Sequence, residues 1–392
     1  MKYDRTFFDA GINRAGTNST KWSASGVMRE GMVPLWVADM DFECAQPIRD
    51  ALRHRAEHAC YGYTFTSQED RDAFTGFWQR RHKLTLNGSS LVMLPTVVAG
   101  LRACVNTMTH PGDGVIVQTP VYGPFIAAVR ESGRVVLDAT LRCDAQGRYT
   151  MDYEAIEQFL RQGARLMILC NPHNPVGRAW SQEELRALVS LLNRYKARLV
   201  SDEIHADFVY SPREFVPLLS LPEAREDTVM LAAASKTFNI AGLQQATAVC
   251  RDQDVSTMLA RYLERAGAQT GNIFALAGTR AAYNECDDWL DALLLYLTDN
   301  QAALTNLLGE LLPQAVISPM EATYLAWVNV RAYDTPHREI GPRCKKHGVA
   351  LTAGQFFGMT AGEGFMRINY GCPKGQLEEG VARFARAITK GR

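Results

Sequence analysis

From about Pro47 onward, stretches with apolar residues at helical spacing alternate with short uninterrupted apolar runs. The segments IRDALRHRAEHA, EDRDAFTGFWQRRH and, after Pro95, VVAGLRACVNTMT read as helices. GVIVQTP reads as a short buried strand closed by Pro120, and FIAAVRESG returns to helix. RLMILCNP and RLVSDE are two further apolar strands, separated by the helix SQEELRALVSLLNRYK, which opens on a capping box at Ser181 and Glu184. A fourth strand, TVMLAAAS, runs up to Lys236. Short apolar strands parted by helices predict an α/β fold, a mostly parallel sheet covered by helices on both faces.

The texture changes after Trp289. NQAALTNLLGELLP is helical, TYLAWVNV alternates like a strand, and FMRINYG is a short strand before a C-terminal helix, KGQLEEGVARFARAI. The expected division is a large domain over 47–289, a smaller α+β domain over 290–392, and an N-terminal segment, 1–46, packed alongside the smaller domain. No repeat or low-complexity linker interrupts the pattern.

Composition narrows the function classes. In 392 residues, 42 Lys and Arg balance 42 Asp and Glu, which gives no electrostatic footprint for nucleic acid or an anionic membrane. No run is apolar and long enough to cross a bilayer, and charges at Asp4, Arg5 and Asp9 interrupt any secretory core. The nine Cys form no CxxC pair and their number is odd, so free thiols in a reducing, cytoplasmic setting are expected. The eight His form no HExxH pair, and no metal is expected.

The carboxyl ends of the strands carry the candidate chemistry, because open α/β sheets bind ligands there. Lys236 follows an apolar strand, where burial lowers an amine's pKa and leaves it nucleophilic enough to form an imine. Its plainer reading is a solvated surface lysine. Asp202 closes RLVSDE and suits a protonated ring nitrogen, or else a helix cap or ion pair. His205, three residues on, could reach the same ring or simply pack. Asn174, in NPHNPVG, can donate to a ring oxygen or a substrate carboxylate, though the surrounding Asn and Pro also serve the turn. Tyr122, in TPVYGPF, could lie flat against a heterocycle or sit in the core. Thr96, Val97 and Val98 begin a helix whose free N–H groups suit phosphate, as at any helix start. Arg367 stands mid-strand in FMRINYG and, facing inward, would clamp a carboxylate or join a structural ion pair.

Taken together, GYTF, LPTVV, TPVYGPF, NPHNPVG, SDEIHAD, ASKTFNIAGL and FMRINYGCP resemble, in order and spacing, the fold-type-I PLP-dependent aminotransferase superfamily over roughly residues 30–380. PLWVADMDF, HACYGYTF, SDEIH and the SKTFN context place the resemblance nearest the bacterial cystathionine β-lyase branch, the MalY/PatB-like C–S lyases. This resemblance implies pyridoxal 5'-phosphate (PLP) bound through Lys236, with Asp202 on the pyridine nitrogen, Asn174 on the phenolic oxygen and Tyr122 stacked on the ring. It further implies Arg367 as the clamp for the substrate α-carboxylate, with Asn174 beside it. Tyr63 would reach the cofactor phosphate of the other subunit of a homodimer. Two departures from mainstream aminotransferases stand out. His205 occupies the place of a frequent Tyr, and Ala233 and Gln244 replace a Ser and an Arg that hold phosphate, leaving that task to backbone donors, Ser235 and Tyr63.

The implied reaction is α,β-elimination from cystathionine or another S-substituted L-cysteine, giving a thiol, pyruvate and ammonia. Transamination of an L-amino acid is the rival. A third reading follows from branch members that also bind a transcriptional activator; no residue pattern in this chain marks such a surface.

Overall fold

A computed structural model describes residues 3–24, 26–86, 91–268 and 271–389. The first two residues of the N-terminal segment and the last three of the C-terminal domain, as divided above, lie outside the described residues. Seven strands form the main sheet in the spatial order Leu91–Leu94, Ala246–Cys250, Val229–Ala232, Arg198–Asp202, Leu166–Cys170, Gly114–Val117, Val135–Asp138. Only Ala246–Cys250 runs against its neighbours; the other six point the same way. Leu166–Cys170 and Val229–Ala232 are buried at every position, as strands covered on both faces must be. Leu101, Val105 and Phe125 pack one face of the sheet, and Leu185, Leu188 and Leu192 the other.

The helix Gln182–Arg194 opens on the expected box: Ser181 Oγ accepts from Glu184 N at 3.2 Å, and Glu184 Oε2 accepts from Ser181 N at 2.8 Å. A second box, Ser67 with Asp70, starts Gln68–His82. The helix after Pro95, Val97–Met108, is capped by Thr96, whose hydroxyl accepts from Ala99 N at 3.1 Å.

A four-stranded antiparallel sheet lies beyond, ordered Val316–Ile317, Leu325–Asn329, Phe365–Asn369, Thr352–Ala353. Met366 and Ile368 turn into its core, while Arg367 and Asn369, on the other face of the strand, turn toward the N-terminal segment. That segment packs against C-terminal elements. Val33–Pro34 pairs in parallel with Val349–Ala350, and the rings of Phe8 and Tyr296 meet at 5.2 Å. The helix Asp287–Leu311 is longer than the run read from sequence, and the division at 289/290 falls in its first turn.

Candidate active site

Five parallel strands deliver functional residues to one end of the main sheet. Thr96 follows Leu91–Leu94, Tyr122 follows Gly114–Val117, and Asn174 follows Leu166–Cys170. Asp202 is the last residue of its strand with His205 just beyond, and Lys236 lies in the short helix Ala234–Thr237 after Val229–Ala232. All of them line a single cavity of about 460 Å³, together with Val97, Val98 and Ser235. Arg367 enters it from the antiparallel sheet, and the segment Trp36–Ala38 closes one wall. Tyr63 is the exception: it is fully exposed in an irregular stretch and does not line the cavity of its own chain.

Lys236 Nζ donates to the carbonyl of Ala38 at 2.5 Å. Burial lowers its pKa to about 8, against the pull of Asp39 and Asp202, so about a tenth is the neutral amine at pH 7, far more than for an exposed lysine. Burial pushes Asp202 the other way, up to about 7, although it accepts from Ile204 N at 3.1 Å and is drawn down by Lys236. A carboxyl in that position ionises fully only when a cation or donor faces it from the cavity. Burial lowers His205 to about 3, with Lys236 and Arg367 adding to the effect, so its ring stays neutral; its Nδ1 has no hydrogen-bond partner.

Arg367 is buried, and desolvation lowers its pKa to about 10, which still leaves it cationic at neutral pH. Its guanidinium donates to Asn174 Oδ1 at 3.2 Å and to the Trp36 carbonyl at 2.7 Å, and lies 4.8 Å from the Phe357 ring centre. Nε has no partner, and among the described residues no carboxylate pairs with it. The structural-ion-pair reading of this residue therefore has no counter-ion here. A buried guanidinium fork without a counter-ion can take a carboxylate through two parallel bonds.

The donor set fits PLP. Asp202 would face the ring nitrogen, Tyr122 a ring face, and Lys236 the aldehyde carbon, with Asn174 and His205 near the phenolic oxygen. The first N–H groups of Val97–Met108 have no partner within the helix and, with Ser235, would take the phosphate. Gln244 and Gln245 line the same cavity; among the described residues, the side-chain cations lining it are Lys236 and Arg367.

Sequence reasoning used PLWVADMDF only for its resemblance and gave no role to the wall Trp36–Ala38 or to Tyr324 and Asn369, which hold it. Asn239 holds the continuation of that segment. It takes a left-handed backbone (φ 57°), accepts from Met40 N, and donates to the carbonyls of Met40 and Phe42 at 2.9 and 3.0 Å.

A seven-stranded α/β sheet with lysine, carboxylate and arginine meeting at its carboxyl edge defines the fold-type-I class of PLP-dependent proteins. Within that class, the family model for class I and II aminotransferases matches residues 30–384, and this chain belongs to that family. It is 38% identical to cystathionine β-lyase PatB of Bacillus subtilis, over 97% of this chain and all of that protein. The structure superposes on a PLP-bound putative aminotransferase from Clostridium difficile with TM-score 0.94 and 34% identity, covering 97% of this chain and 99% of that one. It also resembles the PLP-bound C–S lyase of Staphylococcus hominis, with TM-score 0.89, 30% identity, and 98% and 99% of the two chains covered.

Proposed function

We propose that this protein is a PLP-dependent carbon–sulfur β-lyase, which converts an S-substituted L-cysteine and water into a thiol, pyruvate and ammonia. The unpaired, buried Arg367 beside Lys236 carries the reading, since it assigns an amino-acid carboxylate to the cavity. The likeness to PatB and to the Staphylococcus hominis lyase favours elimination as the outcome.

When bound, PLP supplies an electron sink for the pair left at Cα as its proton departs. Arg367 and Asn174 hold the α-carboxylate and so fix which Cα bond faces Lys236. Its amine, the neutral form of which burial favours, accepts the Cα proton, a service worth about 10²–10⁴-fold in rate. Asp202, ionised by a cation opposite it, keeps that cation protonated. Among the described residues of one chain no further cation lines the cavity, so a second carboxylate on the substrate meets no partner from that chain, which favours broad tolerance of uncharged thioethers.

The large segment 47–289 holds the cofactor, and 290–392 with 1–46 completes the substrate side. The active unit is a homodimer in which Tyr63 reaches the other subunit's phosphate, a role supported by the exposure of Tyr61, Tyr63 and Phe65 together. Nine unpaired cysteines, six of them buried, support a reducing cytoplasmic setting.

Incubation with S-methyl-L-cysteine, without added keto acid, tests the function. Continuous pyruvate release from the holoenzyme is expected, falling by orders of magnitude in Lys236→Ala. A single turnover that stops until a keto acid is supplied would establish an aminotransferase instead.

A further inference from the structure

Five consecutive carbonyls, Trp36 through Met40, are each held by a side chain from another part of the fold. The Trp36 carbonyl accepts from Thr352 and Arg367, at 2.8 and 2.7 Å. The Val37 carbonyl takes Asn369, and that of Ala38 takes both Lys236 and Tyr324, at 2.5 and 3.0 Å. The Asp39 carbonyl takes Lys21 and Asn369, and that of Met40 takes Asn239. Two of these donors, Arg367 and Lys236, are the residues assigned above to the substrate. A shift of this strap would move the acceptors that orient both.

The strap is fixed in turn by a cluster of four charges. Lys21, fully buried, lies 2.8 Å from Asp41, which is 1% exposed. Arg14 bonds both carboxyl oxygens of Asp39, at 2.7 and 3.0 Å, and reaches Asp41 at 2.9 Å. Trp22 Nε1 and Gln376 Nε2 each donate to Asp41 at 2.8 Å. The positive charges of Arg14 and Lys21 cancel those of Asp39 and Asp41. Asp41 stays ionised despite burial because Lys21, Trp22 and Gln376 hold its charge. Buried ion pairs stabilise a fold little more than apolar packing would, and their directional bonds are best suited to fixing one geometry. None of the four charged side chains lines the cavity.

We propose that the Arg14–Lys21–Asp39–Asp41 cluster is a positioning device that sets the Trp36–Met40 strap, and through its carbonyls aims Arg367 at the substrate carboxylate and Lys236 at Cα. The proposal rests on the carboxylate-clamp reading of Arg367. Arg14 and Trp22 act through the strap and touch neither substrate nor cofactor.

The test uses the holoenzyme and 3-(methylthio)propionate, a carboxylate with the thioether but without the amine, so that it cannot condense with the cofactor. Calorimetric titration is expected to show at least a tenfold weaker Kd in Arg14→Met at unchanged cofactor content, with recovery to within threefold of wild type in Arg14→Lys. Under the same conditions KM for S-methyl-L-cysteine should rise and kcat should fall. Trp22→Phe keeps every charge and removes one bond to Asp41; it should show the same changes at smaller size, and carries the test if Arg14→Met does not fold. A lowered Tm in these variants with Kd and KM within twofold of wild type would overturn the proposal and leave the cluster a structural anchor only. Arg367→Ala serves as the control: if it leaves the Kd for 3-(methylthio)propionate unchanged, the clamp reading fails, whatever the cluster variants do.

Discussion

Asp202 and Lys236 are displaced in opposite directions by the same enclosure, from 3.8 up to about 7 and from 10.5 down to about 8. In the cofactor-free protein, between about pH 4 and 7, the folded chain keeps a proton on Asp202 that the unfolded chain has released. Stability therefore falls as pH rises through that window, by on the order of 4 kcal/mol. Between about 8 and 10.5 the unfolded chain keeps a proton on the lysine that the folded chain has lost, so Lys236 contributes a rise in stability. Urea unfolding of Asp202→Asn across pH 4–8 should show the first slope flattened relative to wild type; an unaltered slope would mean another group is responsible. Arg367 makes a separate prediction. Arg367→Ala should raise KM for the amino acid about 10²-fold, the usual cost of losing a buried charged bond, while cofactor content stays intact. Loss of folded protein in that variant would return Arg367 to a structural role.

At the scale of elements, legibility followed chemistry carried by side chains. Leu166–Cys170, Arg198–Asp202 and Val229–Ala232 were readable because each is a short apolar run with a polar candidate at or just beyond its carboxyl end. Lys236, Asp202, Asn174 and Tyr122 stood out for that reason. Leu91–Leu94, Val135–Asp138 and the antiparallel Ala246–Cys250 were not read; the last is made partly of small residues without a period. The strap was invisible as a structural unit because its work is done by backbone carbonyls, which have no sequence signature. The helix Val97–Met108 was legible in extent, and its capping residue gives it a measurable property. Thr96→Ala should cost about 1 kcal/mol in urea unfolding, because Ala99 N loses its acceptor, with a parallel weakening of cofactor binding as the first turn frays. Unchanged stability would show that another group satisfies that amide.

For the whole molecule, Tyr63 is exposed and apart from the cavity of its own chain, and on the proposed dimer assembly would be a condition of a complete phosphate site. Light scattering should show a dimer, and Tyr63→Phe should bind PLP about tenfold more weakly, the scale of one hydrogen bond to a charged group. A fully active monomer, or an unchanged PLP affinity in that variant, would remove Tyr63 from the site. The strap has a different consequence, one of timing. Trp36 leaves the ribosome early, yet the carbonyls of Trp36 and Val37 are held by Arg367 and Asn369, 331 and 332 residues further along the chain. Contacts of such sequence separation form late and slowly. A nascent chain that has already completed its main sheet still lacks one wall of its cavity. Synthesis must therefore run past Asn369 before these carbonyls are held, and on the proposed reading loss of the strand Phe365–Asn369 would disable a site whose lysine and aspartate lie more than a hundred residues upstream.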